Sequence, residues 1–214
     1  MSIRTQHAAV RGLASLRKFV QKPPPVEICE LCAARLSEEH QHLIDPQSRR
    51  ILCACDPCAI LFSGNGQTQY RRVSRDVRYL DDFRLDDALW NSLMIPIGLV
   101  FFYKSSVSGQ VAALYPSPAG ATESALDADF WEEIVDLNPV LGSMQADTEA
   151  LLVNRVKHER EYYLAPIDEC YRLTGLIRQH WSGFSGGSEV WEAISTYFAG
   201  LKQRSRPARI KTYA

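Results

Sequence analysis

The 214-residue chain, 46% hydrophobic and 23% charged, is long enough for one full core plus a small satellite, and its composition excludes a disordered or collagen-like protein. Its formal net charge of −1 conceals a segregation: residues 1–26 and 202–214 each carry five basic side chains and no acids, while 27–201 hold 14 basic against 25 acidic, a net of −11. So acidic a body repels phosphate backbones, so nucleic acid is not expected as a partner.

The start, MSIRTQHAAVRGLASLRKFVQKPPPV, is basic and lacks the apolar stretch of a secretory signal. Ile3, Val10, Leu13, Leu16 and Val20 fall mostly three or four apart, predicting an amphipathic helix that ends at Pro23, Pro24 and Pro25. Residues 1–25 are therefore assigned as a basic helix and proline linker. With no secretory signal the cytoplasm is the expected compartment, where thiols stay reduced and clustered cysteines point to metal or redox chemistry.

Residues 26–66 form the cysteine-rich segment, with five of the six cysteines. Cys29 and Cys32 make one CxxC, Cys55 and Cys58 another. Two residues between thiols let the backbone curl so that both sulfurs face one ion, and two such knuckles supply the tetrahedral shell zinc prefers. Between them, HLID, the turn formers PQSR and ILCAC predict a hairpin. Asp56 is expected to cap a short helix with Pro57 at its first position and Gly64 as its stop. Knuckle, hairpin and helix-borne second ligand pair are the order of a zinc-ribbon or treble-clef module, and a lobe this small needs such a staple.

Zinc on Cys29, Cys32, Cys55 and Cys58 is the expectation. Iron in a rubredoxin-like cage is the lesser one, because Ala33 and Ala59 occupy the places where such knuckles carry glycine to free amides for the sulfurs. Three further residues leave the ligand count open. Cys53 could replace Cys55 or be a spare thiol, and His40 and His42, alternating onto one strand face, could take a fourth position or stand beside the ion. HQH before a CxxC also resembles metal-finger nucleases of the HNH type, but the helix CAILF offers no further histidine or asparagine.

Residues 67–214 are expected to form an α+β domain. A connecting segment leads to a short helix capped by Asp86. IPIGLVFFYKSS and QVAALYPSP predict a hairpin across VSG, and YPSPAGATES is expected as a loop. DADFWEEIVDLNPVLGSM reads as one helix, and EALLVNRV with YYLAPI as a second hairpin across KHERE. Two helices follow, DECYRLTGLIRQHW capped by Asp168 and SEVWEAISTYFAGLKQR capped by Ser188, separated by the glycine-rich SGFSGG, read as a flexible linker. Cys170 is expected to be simply buried. The order predicts an antiparallel sheet with helices packed on one face. The longest apolar run, Leu93 to Tyr103, is too short for a membrane span and contains Pro96 and Gly98.

Taken together, CELC, HQHLID, ILCACDPCAILF, FRLDDALWNSL, IPIGLVFFYKSS, ALYPSPAGATES, EALLVNR, YLAPIDECYRLTGLIRQHW and SGGSEVW resemble a bacterial family of unknown activity whose genes accompany those of uptake NiFe hydrogenases, particularly the high-affinity actinobacterial type. The resemblance covers nearly everything from Cys29 to Leu201. It implies an accessory protein in hydrogenase maturation or assembly, with a hydrogenase subunit or maturation factor as protein partner, and assigns no catalytic residue. The rival expectation is a rubredoxin-like or thiol-based electron-transfer protein working with the same enzyme.

Overall fold

The computed structural model describes residues 26–63 and 68–208. The predicted N-terminal helix and the stop at Gly64 lie outside them. Strands β1 (Gln41–Asp45) and β2 (Arg50–Ala54) form the expected hairpin, in a register that sets His42 opposite Cys53 and Leu43 opposite Leu52. Helix α1 (Asp56–Phe62) follows at once, and β3 (Arg71–Arg72) then pairs with β1 to complete a three-stranded sheet ordered β2-β1-β3. The small lobe therefore draws its third strand from beyond residue 66.

The main sheet has seven strands, ordered β10-β4-β9-β8-β5-β6-β7. They are β4 (Arg78–Tyr79), β5 (Leu99–Lys104), β6 (Val111–Ser117), β7 (Gly120–Ser124), β8 (Glu149–Asn154), β9 (Glu161–Pro166) and β10 (Arg206–Pro207). All pairings are antiparallel except the edge pair β10–β4. The mixed α+β class is as expected. Helices, however, cover both faces of the sheet, not one.

The reason lies in the central strands. LVFFY, EALLVN and EYYLAP are buried at every position, the pattern of strands that meet apolar neighbours above and below. Leu99, Phe101, Tyr103, Leu152, Tyr163 and Ala165 face α4 (Ile167–His180) and α5 (Gly187–Arg204), where they meet Leu173, Ile177, Ile194 and Phe198. Val100, Phe102, Leu151, Val153, Tyr162 and Leu164 face the other way, onto Phe130 and Ile134 of α3 (Ala128–Leu137) and onto Leu80, Leu85, Leu93 and Leu141.

Several local expectations need correction. YPSPAGATES is no loop: it forms the end of β6, a tight turn and edge strand β7, with Tyr115 opposite Thr122 and Ser117 opposite Gly120. Pro116 is tolerated because β5 pairs with β6 only as far as Leu114, so no neighbour on that side needs its missing N–H. The long helix from Asp127 stops at Leu137, since Asn138 precedes Pro139 and uses its side chain to donate to Ile134 O at 2.9 Å and to accept from Arg84 N at 2.7 Å; a 3₁₀ turn, Pro139–Ser143, follows. SGFSGG closes on itself through a bridge between Ser182 and Gly186, and Gly186 in the left-handed region, not Ser188, caps α5. Lastly, Pro166 rather than Asp168 stands at the cap of α4. The short helix α2 (Asp87–Ser92) is capped as predicted, Asp86 Oδ1 accepting from Leu89 N at 2.8 Å.

Contacts from the hairpin help seat the small lobe on the large one. Ile44, 2% exposed, joins the core on the α4/α5 side; burying a side chain of that size contributes roughly 1.5–3 kcal/mol. The Arg49 guanidinium lies 5.2 Å over the Tyr103 ring and 3.6 Å from Glu123. His42 reaches Asp168 at the start of α4, Nδ1 to Oδ2 at 2.6 Å.

Candidate metal centre

The first knuckle is a tight loop closed at its base, with Ile28 bridging Arg35 and Leu36 N donating to Glu27 O at 2.9 Å. Inside it, Cys29 N donates to Ala34 O and Ala33 N to Cys29 O, both at 2.8 Å. Ala33 takes φ +61°, the left-handed conformation that a glycine would adopt without strain. The alanine therefore does not prevent the knuckle turn. Glu30 ties this loop to the hairpin: its amide donates to Cys53 O at 2.9 Å and its Oε1 accepts from Cys53 N at 3.0 Å. Its other carboxylate oxygen meets Arg50.

The second knuckle is the entry to α1. Cys55 is the cap residue, Pro57 sits in the first turn and Cys58 is inside the helix, with Ala59 N donating to Cys55 O at 2.9 Å. Asp56, expected as the cap, instead accepts at 2.8 Å from Gln41 Nε2, and this bond fastens α1 to β1. Leu43, Ala54 and Ala59 back the site from below.

The structure brings the Cys29, Cys32, Cys55 and Cys58 sulfurs within 4.8 Å of one another, Cys32 and Cys55 at 3.6 Å. Four sulfurs at Zn–S bonds of about 2.3 Å would lie roughly 3.8 Å apart, so this spacing needs little adjustment to hold an ion. All four are free thiols; Cys29 and Cys58 are buried, Cys55 is half-buried and Cys32 is exposed. Burial raises the Cys29 thiol, but the amides of Cys55, Leu31 and Cys32 directed at its sulfur more than reverse this and bring it down to about 6. Burial and thiol contacts with Cys55, Cys32 and Cys29 push Cys58 up. At Cys32 the Ala34 amide lowers the thiol, yet contacts with Cys29 and Cys55 leave it raised. One favoured thiolate among crowded protonated thiols is an arrangement a cation relieves, by taking the place of the protons.

Cys53, His40 and His42 do not join this set. They form a group of their own on the hairpin, their ligand atoms again within 4.8 Å of one another. Cys170 is fully buried on α4, its thiol raised by that burial. The residue invisible to sequence reasoning is Asp168: it meets His42 across 126 positions, and no local pattern announces that contact. No described helix is long and apolar enough to cross a membrane.

Comparison with curated proteins and with solved structures gives no match. A match does cover residues 28–205, from the first knuckle to the end of α5, and it is to the group described as a family of unknown function (DUF5947). The small cysteine lobe and the large sheet thus fall within one family unit, and the chain belongs to DUF5947.

Proposed function

We propose that this chain is a zinc-stapled accessory protein that works through protein contacts, in the cytoplasm, with a subunit or maturation factor of an uptake NiFe hydrogenase as its partner. The observation that carries the reading is the convergence of four thiols, which on a tetrahedral ion would leave no position for substrate, as in a closed structural site. A second feature fits a docking role. Ile60, Leu61 and Phe62 on α1 are 66%, 70% and 44% exposed, and large apolar side chains grouped on one short helix commonly mark a contact surface. The choice of partner rests on the family resemblance of the sequence alone. Affinity capture with the full chain from a hydrogen-oxidising bacterium expressing the enzyme tests it: recovery of a hydrogenase component is expected, and its absence contradicts the assignment.

One observation favours the electron-transfer alternative. The left-handed turn at Ala33 and the three amides at the Cys29 sulfur are the surroundings that also suit iron. Elemental analysis with a visible spectrum separates the two: a colourless zinc protein supports the docking role, and iron with thiolate charge-transfer bands overturns it.

A further inference from the structure

The hairpin carries a second constellation. His42 on β1 stands directly opposite Cys53 on β2, and His40, two residues earlier, shares the same face. The two imidazoles meet edge to face, centroids 4.9 Å apart. Both have their Nδ1 atoms occupied by acceptors. His42 Nδ1 lies 2.6 Å from Asp168 Oδ2, and His40 Nδ1 lies 3.0 Å from Ser37 O and 3.4 Å from Glu27 Oε2. Oxygen acceptors at Nδ1 require a proton there, so in the neutral ring the lone pair is the one on Nε2. For His40 that lone pair is stranded: the side chain is only 7% exposed and its buried Nε2 makes no hydrogen bond. A buried acceptor left so costs free energy unless something occupies the place beside it.

We propose that His40, His42 and Cys53 form a second metal site, distinct from the four-cysteine cluster, that takes a zinc-class divalent cation through two Nε2 atoms and one sulfur and leaves its fourth position open. The carboxylate–histidine pair made by Asp168 is the outer support that ligating histidines ordinarily have. Three protein ligands plus an exchangeable position is the form of a reactive rather than a structural zinc site. His42, 30% exposed at its side chain, is the open side through which an added ligand enters. One ring nitrogen of each histidine and the Cys53 sulfur already lie within 4.8 Å of one another, so side-chain rotation is what brings them onto bonds of about 2.0–2.3 Å. Ligation releases the Cys53 proton to solvent, and the ion takes up the sulfur electron pair in its place. The site lies where the small lobe meets α4, through the His42–Asp168 bond.

The test is cobalt(II) and zinc(II) titration of the full chain. Two ions per chain are expected, the second giving the weaker sulfur-to-cobalt absorption of a single thiolate and shifting its visible bands when imidazole is added. The His42→Gln/Cys53→Ser variant should lose that second equivalent and keep the first. The proposal is overturned if the wild-type chain binds a single ion, if the variant takes up the second with unchanged affinity, or if imidazole leaves the second equivalent's bands unmoved. Should the double variant misfold, the wild-type spectrum of the second equivalent decides alone. Failure of the four-cysteine reading looks different: the first equivalent would then lack the four-thiolate spectrum while the second kept its own.

Discussion

Replacing Asp168 by asparagine probes the joint between the lobes at a single atom. The carboxylate accepts from His42 Nδ1 at 2.6 Å, with the two side chains 30% and 22% exposed, so the bond is charge-assisted but partly open to water. Asparagine keeps the size and can still accept through its amide oxygen, yet it removes the charge that makes Nε2 a stronger donor to an ion. Losing such an outer partner typically costs about 10- to 100-fold in metal affinity, or about 1.4–2.8 kcal/mol. The pair's direct contribution to folding is smaller, about 1 kcal/mol or less at this exposure. Competition of Asp168→Asn against a chromophoric chelator should therefore show the second zinc bound 10- to 100-fold more weakly, with the first unchanged and the melting temperature nearly so. A variant that melts earlier but binds both ions as tightly as wild type would refute the reasoning, because Asp168 would then hold two lobes together and do nothing for a metal.

Three other predictions address fold and surface. Glu169, half-buried at the start of α4, accepts from both Arg204 Nη atoms at 2.7 Å and from Tyr197 Oη at 2.9 Å; partial burial raises its carboxyl, but the Arg204 bonds outweigh this and hold it below the ordinary value. A depressed carboxyl stabilises above its unfolded value and loses that contribution as pH falls through the folded one. Arg204 is 43% exposed and can rehydrate, so Glu169→Gln should cost only about 1–2 kcal/mol at neutral pH and flatten the acid limb of a melting-temperature profile; an unchanged acid limb contradicts this. Ala33→Gly removes a left-handed alanine that costs about 1–2 kcal/mol, offset in part by the flexibility of glycine in the unfolded chain, so zinc should leave the first knuckle more slowly in chelator; faster release contradicts the assigned geometry. Ile60→Ser with Leu61→Ser, both at exposed sites, should change stability by about 0.5 kcal/mol or less while abolishing partner capture, and a large drop in melting temperature would mean that these side chains are covered.

What could be read from the sequence was what is local. Two CxxC pairs, a hairpin between them and a proline at the head of a helix are decided within a few residues, and the structure places all three as expected. The alternation of His40 and His42 was equally legible, but their company was not: Cys53 faces them through strand pairing, and Asp168 through the packing of α4. Asp168 looks like a cap because aspartate before an amphipathic run usually is one; here Pro166 takes that place and the carboxylate turns to the other lobe. Pro116 and Gly120 suggested a loop because proline cannot serve a ladder from both sides, and only the short overlap with β5 allows it in a strand. The fully apolar runs in β5, β8 and β9 did carry the sign of a sheet covered twice, but that sign becomes readable only once the strands are known to be central.

The most direct test is zinc-edge X-ray absorption on the full chain loaded with a single equivalent of zinc. Four sulfur scatterers at about 2.3 Å and no nitrogen or oxygen in the shell are the predicted result for Cys29, Cys32, Cys55 and Cys58 acting together. A mixed shell, fewer than four sulfurs, or a chain that retains no ion after dialysis would contradict it.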